Sequence, residues 1–133
     1  MQLNAQNVRS DLIKKVEEIS GQKVLSCYQC GKCSAGCPMG NLMDRLPHEI
    51  MRLLQLGAPE EAADSLTIWL CASCQTCASR CPRNVDLARV MEAVRVTILR
   101  KGIPYLNVSQ LPPEVLERAP QQALVSGCRK FTF

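Results

Sequence analysis

Apolar residues recur at helical spacing in three stretches of the chain. Val8, Leu12, Val16 and Ile19, with Ile13 beside them, predict an amphipathic helix over residues 8–19. Asn7 or Ser10 can cap its start, and Gly21 suits its end. Met43, Leu46, Ile50, Leu53 and Leu54 predict a second helix, with Asp44 as its cap and Gly57 as its stop. Pro59 then fits the first turn of a short helix through Glu60, Glu61, Ala62, Ala63 and Asp64. The third stretch is the clearest. Leu87, Val90, Met91, Val94 and Ile98 form its stripe, Asn84 or Asp86 caps it, and Gly102-Ile103-Pro104 ends it. Arg89, Glu92, Arg95 and Arg100 lie off that stripe and read as a solvated face. Nothing between residues 37 and 71 alternates with the period of a strand.

Beyond residue 102 the pattern breaks up. Pro104, Pro112, Pro113 and Pro120 leave room for one short helix near Glu114 to Arg118. The closing residues 123–133 are apolar but irregular, and a tail of this kind is expected to lie along the domain or along another subunit. A length of 133 residues predicts one domain over 1–133, with an N-terminal helix at 8–19 and a Pro-rich docking tail at 103–133. The most apolar stretch, Leu66 to Ala72, is far too short to span a membrane. Arg9, Asp11, Lys14, Lys15, Glu17 and Glu18 interrupt Met1 to Ser20, so an export signal is not expected and a cytoplasmic location is.

Composition changes the picture at one residue type, since nine cysteines accompany only two Phe, two Tyr and one Trp. Eight of them form two copies of one phrase, C-x2-C-x2-C-x3-C-P: Cys27, Cys30, Cys33 and Cys37 before Pro38, and Cys71, Cys74, Cys77 and Cys81 before Pro82. This is the run of [4Fe–4S] ferredoxin sites. Three thiolates at steps of three residues can fold round one compact cubane. The proline after the fourth cysteine turns the chain away. Structural zinc uses two separated pairs and would leave half of each run without a purpose. Disulfides need an oxidising compartment, which the expected location does not supply. The runs are therefore read as holding two [4Fe–4S] clusters, which would also staple a domain with a thin aromatic core.

The formal charge of +4 counts every cysteine as a neutral thiol. A four-thiolate cluster carries about −2, so two of them bring the loaded chain near zero. No basic patch interleaved with aromatic residues is present, and nucleic acid is not an expected partner. Hydrolytic, P-loop and dinucleotide motifs are absent from the sequence. The carboxylate pairs Glu17-Glu18 and Glu60-Glu61 are adjacent and point apart on a helix.

In two-cluster ferredoxins the fourth cysteine of each run serves the other cluster. Adopting that rule assigns Cys27, Cys30, Cys33 and Cys81 to one cluster, and Cys37, Cys71, Cys74 and Cys77 to the other. The odd Cys128 reads as a packed or surface thiol. His48 reads as a surface or capping residue, Trp69 as core packing that also shields a cluster, and Met39, Met43 and Met51 as packing. A helix starting after Cys81 would turn its positive end towards an anionic cluster.

Cys27 to Met39, Trp69-Leu70-Cys71 through Cys81-Pro82, and the closing Ala123-Leu124-Val125 with Arg129-Lys130-Phe131 together resemble the C subunit of heterodisulfide reductase over nearly the whole chain. The resemblance implies an α-helical ferredoxin fold with two [4Fe–4S] clusters. It also implies a relay of electrons from a flavin-bearing A subunit to a disulfide-reducing B subunit. No two cysteines are adjacent, so the Cys-Cys-Gly signature of the B subunit is missing, and disulfide chemistry would lie on another chain. The alternatives are a free-standing two-cluster ferredoxin and an iron–sulfur subunit of another anaerobic dehydrogenase. A shuttle would be a compact monomer, whereas a relay subunit would carry docking extensions.

Overall fold

The computed structural model describes residues 10–100 and 108–125. The helices in chain order are α1 (Asp11–Ser20), α2 (Lys32–Ala35), α3 (Pro47–Gln55), α4 (Pro59–Ala63), α5 (Thr67–Leu70), α6 (Thr76–Arg80), α7 (Leu87–Leu99) and α8 (Pro113–Arg118). Short 3-10 turns at Val24–Ser26, Gly40–Leu42 and Val108–Gln110 join them. No strand forms among the described residues, so the protein is all-α there. No described helix is long and apolar enough to cross a membrane.

The chain divides into two compact units, Met1–Thr97 and Ile98–Phe133. The second contains α8, the short helix expected near Glu114 to Arg118, which starts with Pro113 at its first position, and a further helical turn at 121–125. Cys128, the closing Phe131-Thr132-Phe133, Val8 and the Gly102-Ile103-Pro104 stop lie outside the described residues.

In the first unit α1 keeps its predicted place but turns a different face inward. Ile13, Val16 and Ser20 are buried, whereas Ile19 is 37% exposed. The reason lies at the helix end. The Ser20 hydroxyl accepts from Gln22 N–H (3.1 Å), Gly21 closes the helix at φ 65°, and Glu17 accepts from Val24 N–H (2.7 Å). These bonds pin the exit of α1 with Ser20 inside, and Ile19 is left on the rim.

Helix α3 also starts later than its stripe suggests. Pro47 occupies the first position, and Glu49 reaches back to accept from Leu46 N–H (2.6 Å). Asp44 does not cap this helix. Its carboxylate accepts instead from Thr67 N–H (2.9 Å), Leu66 N–H (3.3 Å) and the Ser65 hydroxyl (2.9 Å), and so caps α5 from a distant loop. The buried Thr67 hydroxyl lies 2.8 Å from Asp44 and accepts from Arg45 N–H (3.2 Å), which closes the knot. Ile50, Met51 and Leu54 from α3, Ile68 from α5, and Val90, Met91 and Val94 from α7 are almost fully buried. Asp86 rather than Asn84 caps α7, accepting from Arg89 N–H (3.2 Å).

Candidate metal centre

Each cysteine run folds into the same loop. The residues before and after the second cysteine take the left-handed conformation: Gln29 (φ 64°) and Gly31 (φ 73°) in the first run, Ser73 (φ 52°) and Gln75 (φ 61°) in the second. Three of these four carry a side chain, a strain that persists only where surrounding structure imposes it. The kink after the second cysteine starts a short helix, α2 in one run and α6 in the other, and these two helices pack on each other. Gly36 lies against Arg80, and a Cβ at 36 would run into the Arg80 side chain. The two runs meet back to back.

The loops aim backbone donors at sulfur. Lys32 N–H lowers the pKa of the Cys30 thiol, opposed by burial and assisted by the Tyr28 hydroxyl. At the matching place the Thr76 hydroxyl, 3.4 Å from Cys74 Sγ, and Thr76 N–H lower Cys74. The third cysteines go the other way: burial pushes both the Cys33 and the Cys77 thiol up. Backbone N–H groups of Ser34 and Ala78 oppose that shift in turn, and at Cys77 so does Ala88 in the first turn of α7. The expected approach of a helix start to the site is thus made by α7.

Contacts cross between the runs. Cys37 lines one apolar cleft with Cys71, Cys74 and Cys77, also walled by Met39, Met43 and Met91. On the other side Arg83 Nε–H donates to the Ser26 carbonyl (3.4 Å), bringing the chain after Cys81 to the mouth of the first run. The hydrogen bond to Cys30 is the largest influence holding the Tyr28 hydroxyl protonated, with charge on Cys81 acting in the same direction. Val85 N–H donates to Cys81 Sγ (3.3 Å). Cys27 lies close enough to Cys33 for its charge to raise that thiol. Among the described residues no three His, Cys, Asp or Glu side chains converge on a single-ion site. Eight thiols on two matched loops, with N–H groups turned to sulfur, are the donor chemistry that iron–sulfur clusters take.

Two anchors escaped the pattern of the sequence. Arg95 is not on a solvated face: its side chain is 14% exposed, and it donates to the Cys71 carbonyl (3.3 Å) and the Ser73 hydroxyl (3.2 Å) while paired with Glu92 (2.6 Å). Gln55 at the end of α3 donates in the same way to the Cys27 (2.6 Å) and Val24 (3.1 Å) carbonyls. In each half, the long helix after the run reaches back and holds the carbonyl of its first cysteine. Trp69 is not core packing, being 38% exposed. Met39 and Met43 line the cleft, while Met51 is buried in the core. His48 donates its backbone N–H to the Ser34 hydroxyl (3.0 Å), and its Nδ1 lies 2.7 Å from the same oxygen.

Residues 13–86 match the family described as a 4Fe–4S dicluster domain. The chain is 40% identical over 94 residues to the iron–sulfur C subunit of a CoB–CoM heterodisulfide reductase from Methanopyrus kandleri, covering 70% of this chain and 49% of that protein. It is 29% identical over 96 residues to the C subunit of an H(2):CoB-CoM heterodisulfide,ferredoxin reductase from Methanothermobacter marburgensis, covering 72% and 52%. With the C subunit of a Ferredoxin:CoB-CoM heterodisulfide reductase from Methanosarcina mazei the identity is 33% over 114 residues, covering 84% and 70%. The chain thus spans about half the length of the first two relatives. Matched loops, an all-α frame and these similarities agree: the chain belongs to the family of heterodisulfide reductase C subunits and carries a 4Fe–4S dicluster domain.

Proposed function

We propose that the chain is the electron-relay subunit of a heterodisulfide reductase-type complex, carrying electrons from a subunit that bears flavin to one that reduces a disulfide. In this reading Cys27, Cys30, Cys33 and Cys81 hold one [4Fe–4S] cluster, and Cys37, Cys71, Cys74 and Cys77 hold the other. When bound, each cluster supplies a one-electron couple. The chain's own residues hold it, exclude water and set its electrostatic surroundings. Met39, Met43 and Met91 keep the second site apolar, and the turned N–H groups of both loops favour charge on sulfur.

The observation that carries the reading is the duplicated loop, with left-handed residues on either side of the second cysteine of each run. A relay also needs surfaces for partners at both sites. Leu25, two residues before Cys27, is 72% exposed, and Trp69, two residues before Cys71, is exposed beside Leu66. Large apolar side chains in the open at matching places favour a docked relay over a free shuttle.

Anaerobically purified protein is expected to be brown and to contain about eight irons per chain, from two four-iron clusters. It should take electrons from reduced viologen yet fail to reduce a heterodisulfide alone. Colourless protein with stoichiometric zinc, or turnover of the disulfide by this chain alone, would overturn the proposal.

A further inference from the structure

The two loops are alike in backbone but differ in the residue after the third cysteine. The second run has Ala78 there, a methyl group; the first has Ser34, whose hydroxyl lies 3.9 Å from Cys33 Sγ. That hydroxyl is shared. It accepts from His48 N–H (3.0 Å) and sits 2.7 Å from His48 Nδ1. A serine hydroxyl has one proton and two lone pairs, so its three neighbours cannot all be served alike.

With the imidazole neutral and Nδ1 bare, the hydroxyl proton goes to Nδ1, a far closer acceptor than the sulfur, and Cys33 receives nothing from it. With Nδ1 protonated, the ring and the His48 backbone both donate to Ser34 Oγ and fill its lone pairs. The hydroxyl proton is then free to turn to Cys33 Sγ. Hydrogen bonds to cluster sulfurs favour the more negative, reduced state. Histidine is the side chain whose ordinary titration falls between pH 5 and 8.

We propose that Ser34 and His48 form a proton-responsive relay to the Cys33 thiolate, coupling reduction of the first-run cluster to tighter proton binding at His48. The balance is simple: one electron enters from a one-electron donor such as reduced viologen, and the proton bound at His48 Nδ1 comes from solvent. The hydroxyl rotates, and no other bond forms or breaks. The second run has no such relay, so the two sites differ in how they respond to pH.

The surroundings of His48 leave Ser34 as its ring's hydrogen-bond partner. Helix α3 packs against α2, α4 and the Val24–Ser26 turn. The titratable and charged groups on these elements are Lys32 and Cys33 on α2, and Glu60 and Glu61 on α4, with none on the turn. On α3 itself they are Glu49 and Arg52. Glu61 pairs with Arg45 (3.8 Å), and Glu49 accepts from Leu46 N–H.

This inference rests on the ligand assignment proposed above, which iron content and a two-cluster spectrum test separately. The experiment is a redox titration of the loaded protein, followed by EPR between about pH 5.5 and 8.5. One cluster should lose about tenfold in its reduction equilibrium constant across that range, which is 59 mV for a one-electron couple, while the other stays level. His48→Gln should flatten the slope. Ser34→Ala should flatten it too, and Ala78 at the matching place shows that the loop accepts a methyl there. By linkage, the proton affinity of His48 must rise on reduction by the same factor. Because the chain has one histidine, histidine-labelled protein reads this directly by NMR. Two pH-independent clusters, or a slope that survives His48→Gln, would overturn the proposal. So would a slope that survives Ser34→Ala but not His48→Gln, since charge acting through space would then suffice without the hydroxyl.

Discussion

At the scale of single residues, the site depends on backbone angles that side chains ordinarily avoid. Gln75 and Gly31 hold the same place in their loops, at φ 61° and 73°. One is strained and the other is not. A left-handed residue with a Cβ carries a penalty of about 1 kcal/mol or more. Gln75→Gly should therefore raise stability by up to about 1 kcal/mol, and Gly31→Ala should lower it by a similar amount. Thermal unfolding of the loaded protein checks both, and a loss of stability in Gln75→Gly would show that its side chain holds the loop. Little of this was legible in the sequence. The spacing of Cys27, Cys30 and Cys33 reveals which residues meet metal, but Gln29, Ser73 and Gln75 are not glycines, and nothing in their identity announces a left-handed turn. The pairing of Ser34 with His48 escaped notice because fourteen residues separate them.

At the scale of elements, the knot between Asp44 and α5 carries the sharpest expectations. Thr67 is fully buried, and Thr67→Val keeps its shape while removing one hydrogen bond from Asp44 and leaving Arg45 N–H without its partner. The loss should be about 1–3 kcal/mol, read as a lower denaturant midpoint; an unchanged midpoint would mean that water replaces the hydroxyl. Burial pushes the Asp44 carboxyl up, but hydrogen bonds from Thr67, Ser65 and Leu66 outweigh it and bring the pKa to about 2 from an ordinary 3.8. The folded chain therefore binds this proton less readily than the unfolded one. Its contribution is complete above the ordinary value and fades as pH falls through about 2. Asp44→Asn should be less stable than the parent at neutral pH, with the gap narrowing as pH drops from about 4 towards 2. A gap unchanged over that range would exclude the carboxylate as its source. The sequence did locate α1, α3, α4, α7 and α8, because apolar period and proline placement act locally. It misjudged Asp44 and Arg95, because their partners lie 23 and 24 residues away. Charge off an apolar stripe looks the same in sequence whether it meets water or a distant carbonyl.

At the scale of the molecule, the crossing between the runs decides how the halves depend on each other. Under the proposed assignment Cys81→Ala should perturb the cluster of the first run, and its spectrum should match Cys30→Ala rather than Cys74→Ala. The reverse match would make each run self-contained. The wider frame was legible, since two complete phrases and a helical period left few other folds open, whereas the reach of Gln55 and Arg95 to the loops was not. The contact of Gly36 with Arg80 has a further consequence for biogenesis. Those residues precede Cys37 and Cys81, so the Arg80 side chain, next to one run's last thiol, rests on the backbone leading to the other's. Iron bound at either half should help to seat that contact for its neighbour. Maturation should then be cooperative, the second cluster entering faster once the first is in place, and iron uptake followed against time would show it.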